Sequence, residues 1–291
     1  MGVSAPRLPL IYTSIILNFT MIHLIPHNET HIRVICQEAS AEQELAEFFC
    51  FDVPGAKFAP KFKNGQWDGK IRLYNLRTKL VYKGLIELIL KFAQTRNYEI
   101  NIAPELSPVI KITRGDVHEF MLGLNLYGRG VPIEIRDYQI DAVHKALSNK
   151  RLILESATSS GKSLIIYSII RYCLENDQRL VLIVPTVNLV NQMANDFKDY
   201  SSANGWDVDA NIHSLYAGKE RVFGKAVTVS TWQTIASMLK SDKENYQKLI
   251  TGTDVLICDE AHLFSAAVVC AAIEGFVNTG HRIGTTGTMS S

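Results

Sequence analysis

From about residue 133 onward, short strand-like runs alternate with amphipathic stretches, and no other feature constrains the fold as much. The runs are Leu152–Glu155, Leu180–Val184, Ala226–Val229, Val255–Cys258 and Arg282–Thr285, with helical spacing between them. Consecutive apolar positions suit strands buried on both faces, and strands separated by helices pair in parallel. The expectation is an α/β lobe over 133–291, a parallel sheet with helices on both sides.

The texture upstream differs. Residues 21–105 read as a small α+β domain. His31–Ile35 suits a strand. Ser40, with Gln43 at the capping-box position, predicts the start of a helix through Leu45, Phe48 and Phe49. Pro54-Gly55 marks a turn, and Asn64-Gly65 and Asp68-Gly69 predict hairpin turns within 57–82. Gly84–Arg96 returns to helical spacing, with Leu85, Leu88, Ile89 and Phe92 on one face, and Tyr98–Ile102 reads as a closing strand. Residues 106–132, rich in glycine and proline, read as a connector with a short helix near 116–124. Residues 1–20 contain the run Leu8–Leu17, broken by Pro9, Thr13 and Ser14. It is too short and mixed for a membrane span and lacks a clear cleavage site, so it is expected to be a tail or non-native leader, with no membrane partner.

The chain of 291 residues, 47% hydrophobic and 20% charged, has room for two globular domains. Its five cysteines are scattered without C-x-x-C spacing, which argues against a disulfide framework or zinc site and fits a reducing cytoplasm, that of a host if the chain is phage-encoded. Cys173 and Cys258 read as core residues. The net charge of +1 announces no polyanion partner, but it hides a local excess: residues 57–96 hold ten Lys/Arg against Asp68 and Glu87.

Two motifs carry chemistry. Ala157-Thr158-Ser159-Ser160-Gly161-Lys162-Ser163 follows a strand and opens a helix, the context a phosphate loop requires. Backbone N–H groups of Thr158–Ser163 would cradle phosphates, Lys162 would reach them, and the Ser163 hydroxyl would ligate Mg²⁺. The match is incomplete, because Ser156 stands where the first glycine belongs, and G-K-S alone is common. Asp259-Glu260-Ala261-His262, at the carboxyl end of another strand, decides the matter. Asp259 would hold Mg²⁺, and Glu260 would orient or deprotonate water. Acids that merely suit a helix dipole would explain either carboxylate singly, not both with a histidine after G-K-S.

D-E-A-H together with A-x-x-x-G-K-S resembles the superfamily-2 helicases and translocases. Arg136-Asp137-Tyr138-Gln139 is similar to that family's element beside the adenine. Pro185-Thr186 with Gln192, and Thr231-Trp232-Gln233-Thr234, are similar to its nucleic-acid-facing motifs. Thr286-Gly287-Thr288 stands where the family couples hydrolysis to movement. The resemblance implies a RecA-like lobe using ATP and Mg²⁺, with Lys162, Asp259, Glu260 and His262 catalytic and Thr286 and Thr288 coupling. Ser159 and Gly287 depart from the pattern. The family's second lobe, with its arginine fingers, does not follow before Ser291, so weak or no activity is expected of this chain alone.

The basic segment F-A-P-K-F-K-N-G-Q-W-D-G-K-I-R-L extends the resemblance to the T4-type phage recombination and branch-migration helicases, as their amino-terminal half. That implies a partner in branched duplex DNA (forks, Holliday junctions, R-loops), a role in recombination and repair, and DNA contacts from Lys61, Lys63, Trp67, Lys70 and Arg72. Phe58 and Phe62 are expected in the domain core. Three alternatives stay open: the motor of a restriction-type enzyme, although no nuclease pattern is evident; a D-E-A-H RNA helicase; and a truncated DNA- or nucleotide-binding module. Lone histidines His118, His144, His213 and His281 are assigned no chemistry.

Overall fold

The computed structural model describes residues 21–106, 112–157, 160–221, 223–265 and 267–287. The first region contains β1 (Met21–Pro26), β2 (His31–Cys36), α1 (Ala39–Phe48), β3 (Cys50–Asp52), α2 (Pro60–Lys63), β4 (Lys70–Arg72), β5 (Tyr74–Asn75), β6 (Leu80–Tyr82), α3 (Ile86–Arg96) and β7 (Glu99–Ile102). Five strands form a mixed sheet in the order β5-β6-β2-β1-β7, with β1 antiparallel to β2 and parallel to β7. Alternate residues Ile22, Leu24, Ile32 and Val34 are fully buried on one face, against Leu45 and Phe49 from α1 and its end and Ile89 and Phe92 of α3.

Local expectations needed correction here. Ser40 does not cap α1; Glu38 holds that position without a side-chain cap, and the Ser40 hydroxyl donates to its carboxylate at 3.3 Å. Asn64-Gly65 makes no hairpin. Pro60 at a helix start favours the short α2, and Gly65 (φ +67°) lies just beyond its end. The tight reversal lies between β5 and β6, where Asn75 Oδ1 accepts from the Arg77 and Thr78 amides at 3.0 Å. Leu88 is exposed, because α3 buries Ile89, Phe92 and Ala93 instead.

The second region contains α4 (Arg114–Gly123), β8 (Tyr127–Gly128), β9 (Val131–Pro132), α5 (Asp137–Ser148), β10 (Arg151–Glu155), α6 (Lys162–Glu175), β11 (Leu180–Val184) and α7 (Val187–Tyr200). It continues with α8 (Val208–Asn211), β12 (Ile212–Leu215), β13 (Val227–Thr231), α9 (Trp232–Ser241), α10 (Lys243–Thr251), β14 (Val255–Asp259), α11 (Ala267–Glu274) and β15 (His281–Thr286). Six strands pair in parallel in the order β10-β15-β14-β11-β13-β12. β11 shows why its run is apolar throughout. Leu180, Leu182 and Val184 pack with the α5–α6–α7 side, while Val181 and Ile183 pack with α9 and α10. This is a RecA-like α/β lobe, as the alternation predicts. The pattern does not reveal the edge strand β12, whose Ile-His-Ser-Leu sequence buries only its ends deeply.

The two regions meet at a polar seam. Glu29 pairs with Lys83 at 2.9 Å and with Arg151 at 3.3 Å, and its amide donates to the Val277 carbonyl at 2.9 Å. Tyr82 donates to Glu274, and Arg282 donates to Thr30 Oγ1 at 3.3 Å. Burial pulls the Arg282 guanidinium down to about 10, although it also donates to the carbonyls of Phe276, Ile273 and Thr279.

Candidate nucleotide site and nucleic-acid edge

The carboxyl ends of β10, β11, β13, β14 and β15 share one pole of the parallel sheet, where loops of such sheets bind ligands. At β10, the chain turns into α6 through Gly161, whose φ of +79° is open to glycine at little cost. An added Cβ there would also stand 2.5 Å from Gln139 Nε2. α6 therefore opens on Lys162, its ammonium held between two carboxylates: Asp259 Oδ1 at 3.6 Å and Glu260 in closer contact.

β14 delivers those carboxylates. Asp259 is 3% exposed and accepts from Thr285 Oγ1 at 2.7 Å, its register partner on β15. Glu260 has φ +52°, a left-handed conformation costing a non-glycine residue roughly 1–2 kcal/mol. Burial alone would raise its pKa, but the Lys162 ammonium outweighs burial, helped by the Gly287 amide, and holds it below the usual glutamate range. His262 Nδ1 lies 2.8 Å from Thr286 Oγ1 and 3.4 Å from Glu260 Oε2. The Ser156 amide donates to the Thr286 carbonyl at 2.9 Å, which ties the loop to β15, and the Ser156 and Ser160 hydroxyls bond each other. Ser156, standing in the glycine position, thus gives the loop an internal tie that glycine could not.

A second wall forms around Gln139. Its Oε1 accepts from the Arg136 amide at 3.1 Å, while its Nε2 and Tyr138 Oη donate to the Ser160 carbonyl at 3.1 and 2.9 Å. Arg136, Tyr138, Gln139, Gly161 and Tyr200 line a cavity of about 380 Å³ here, within the size range of small-ligand sites. Ser163 is not gathered with Asp259. Its hydroxyl lies 2.8 Å from Tyr200 Oη and also bonds Asp196, whose pKa burial raises. Thr158, Ser159 and Thr288 lie outside the described residues.

β11 and β13 run side by side with Val184 opposite Thr231, which puts Pro185-Thr186 next to Thr231–Thr234. Thr186 and Gln192 are exposed, whereas Pro185 is buried. Thr231 is buried, and its hydroxyl caps α9 through the Thr234 amide and meets Thr234 Oγ1 at 2.9 Å. Trp232 is half-buried against the α9–α10 core, so its ring serves packing. Lys219, beside Gln233 and Thr234, extends this edge.

In the basic segment, the Trp67 indole donates to the Lys70 carbonyl at 2.8 Å. Lys70 pairs with Asp52 at 3.6 Å, and Arg72 pairs with Asp68. Lys61 and Lys63 meet no carboxylate among the described residues, and both are exposed. Phe58 and Phe62 are exposed rather than core, since the element holding them is too thin to have two sides.

Three contributors to the pole are not evident from sequence motifs: Thr285, Tyr200 and Ser156. Only strand register identifies the first, and only tertiary contact the second. Ser156 is visible merely as a departure from the loop pattern.

A helix opening on Gly161-Lys162 and two carboxylates at the next-but-one strand end, on a RecA-like sheet, define a superfamily-2 helicase-type ATPase lobe, here preceded by a small α+β region. A family model described as "Type III restriction enzyme, res subunit" matches residues 132–291, and one described as "DNA helicase UvsW, N-terminal" matches residues 22–103. The chain is 35% identical over 268 residues to the ATP-dependent DNA helicase uvsW of Enterobacteria phage T4, covering 90% of this chain and 51% of that protein. A crystal structure of the UvsW helicase from bacteriophage T4 superposes with a TM-score of 0.78 at 33% identity, covering 92% of each chain. A second T4 UvsW structure gives 0.80 at 33% identity, covering 92% of this chain and 52% of that one. The chain belongs to the UvsW helicase family, and it spans about half the length of the curated relative it matches.

Proposed function

We propose that this chain is the ATP-binding half of a DNA motor that remodels branched duplexes in recombination and repair. The observation that carries the reading is the convergence of Lys162, Asp259 and Glu260 at one sheet pole, in a chain similar to a DNA helicase over 90% of its length. Lys162 binds the terminal phosphates of ATP, drawing its ammonium from the two carboxylates as phosphate oxygens arrive. Glu260, once released, accepts a proton from the attacking water or orients it. Arg136 and Gln139 face the base. Thr285 fixes the Asp259 carboxylate, and His262 links Glu260 to Thr286, the route by which hydrolysis is felt along β15.

Mg²⁺ is the hard cation such chemistry uses, and it supplies charge neutralisation at the phosphates. Asp259 would offer it a buried carboxylate, whereas the Ser163 hydroxyl, on the first turn of α6, would first have to leave Tyr200 and Asp196 to join that carboxylate. A second lobe completes the machine, since an arginine finger supplies about 10³–10⁵ in rate.

DNA crosses Thr186, Gln192 and Thr234 and the lysines of the 57–72 segment. The test is ATP turnover and binding of this chain with a forked duplex, a matched linear duplex and no DNA, over a salt titration. Fork preference with a steep salt slope is expected. Indifference to DNA would remove the motor reading and leave a nucleotide-binding module. The res-subunit match favours a restriction motor as the second reading, but the similarity to a helicase over the first region as well favours the first.

A further inference from the structure

The element at residues 50–72 stands out from the first sheet as a two-stranded ribbon, β3 paired with β4, carrying a short helical arm between its strands. The arm is held firmly. Gly69, at φ +79°, lies so close to Ala56 and the Phe62 ring that an added Cβ would stand 3.0–3.1 Å from both. The Trp67 indole ties the return segment to the Lys70 carbonyl. Phe62 therefore braces the arm from inside while keeping one side open. Phe58 has no such role: it is 69% exposed, the most exposed of the large apolar side chains among the described residues. The ammonium of Lys57 lies 5.3 Å from its ring centre.

Charge sorts itself along the same element. Its two acids, Asp52 and Asp68, are taken up by Lys70 and Arg72 at the ribbon. The remaining cations, Lys57, Lys61 and Lys63, all lie on the arm that carries Phe58. An exposed aromatic ring on a braced arm, flanked by three lysines that meet no carboxylate among the described residues, matches one ligand chemistry: a polyanion bearing flat apolar rings. Solvent exposure of a phenyl ring costs free energy and gains nothing for the fold.

We propose that Phe58 is a stacking platform for an unpaired nucleobase at the branch point of DNA, with Lys57, Lys61 and Lys63 holding the adjoining phosphates. The inference rests on the DNA-motor reading and adds how the arm tells a junction from continuous duplex. In continuous duplex every base face is covered by its neighbours, so only the lysines engage. At a fork the first unpaired base offers a free face, and the ring gains contact there.

The test uses the full chain with Phe58→Ala, Phe58→Tyr and Lys61→Ala/Lys63→Ala variants, on a fork carrying 2-aminopurine at its first unpaired position and on closed circular duplex. Thermal unfolding of each variant checks the fold. Phe58→Ala is expected to weaken fork binding about tenfold, to abolish the change in 2-aminopurine emission and to leave circle binding unchanged. Phe58→Tyr should restore both fork readouts, and the lysine variant should weaken both DNAs. If the lysine variant weakens both and Phe58→Ala changes neither, the DNA grip stands and the stacking platform is overturned. If Phe58→Ala weakens fork and circle equally, the ring does not sense the branch and the inference also fails. If no variant affects either DNA, the arm does not face DNA, and the inference falls together with that part of the motor reading.

Discussion

The nucleotide pole and the basic arm are both rich in charge, yet they handle it in opposite ways. At the pole, Lys162, Asp259, Glu260, His262, Thr285 and Thr286 each have a partner inside the fold. On the arm, Lys57, Lys61 and Lys63 face solvent. Prearranged partners suit chemistry, where a site must hold its groups to fractions of an ångström. Unspent cations suit a polymer whose phosphates give up counterions on binding. Substitutions at the pole should therefore act sharply and at one step, whereas those on the arm should act softly and with salt.

The largest effect is expected from Glu260→Gln. The amide keeps shape and loses the base, so ATP turnover should fall about 10²–10⁴-fold while nucleotide affinity is kept. Lys162→Ala should do the reverse in binding, weakening ATP by about tenfold to a hundredfold through loss of charge-assisted hydrogen bonds. Titration with a fluorescent ATP analogue beside steady-state turnover separates the two. Equal losses of affinity in both variants would break the division of labour between base and phosphate anchor.

Gly161→Ala comes next. The residue needs φ +79°, and its new Cβ would meet the Gln139 amide at 2.5 Å. A left-handed alanine costs about 1–2 kcal/mol, and Gln139 must leave the Ser160 carbonyl. Lower thermal stability together with weaker nucleotide binding is expected. A stable variant with unchanged affinity would mean that the loop has room to move.

Much of the pole is legible in the amino-acid sequence, for a physical reason. Strands buried on both faces are apolar throughout, as β11 is, and the chain reaches its functional loops directly from their ends. Asp259 and Lys162 announce themselves by residue type and by position after such strands. Thr285 does not, because its meeting with Asp259 depends on how β15 registers against β14. Tyr200 lies 37 residues from Ser163 and reaches it only because α7 packs beside α6. The arm is legible in composition but not in shape. Asn64-Gly65 is a strong hairpin signal, yet Pro60 starts a helix first, and the glycine lies just past its end. The aromatic rings look like core because sequence shows apolarity and not the thickness of the element carrying it.

A smaller effect lies in the packing behind the pole. His281 begins β15, and its Nε2 meets the Ala146 carbonyl at 2.7 Å. Burial holds its pKa below the ordinary imidazole value, despite that carbonyl favouring the proton. Burial likewise lowers His31 in the first region. The unfolded chain takes up these protons as pH falls through about 6.5, while the folded chain resists. Stability should therefore be full above that pH and decline below it. His281→Gln, which can still donate to the Ala146 carbonyl, should flatten the decline in melting temperature between pH 7.5 and 5. An unchanged profile would assign the decline to other groups.

The smallest effect in free energy is the one that best sharpens the contrast. Lys61→Ala and Lys63→Ala remove side chains that meet no carboxylate among the described residues, so thermal stability should stay within about 0.5 kcal/mol. Their mark should appear in salt dependence instead. Removing one phosphate-binding cation reduces the slope of log affinity against log salt by about 0.9 on duplex DNA, so the double variant should flatten it by nearly two. A pole variant such as Glu260→Gln should leave that slope where it was. If the lysine variants lower affinity with the slope unchanged, they do not bind phosphate. Altered stability would mean that the arm's charge, like the pole's, belongs to the fold.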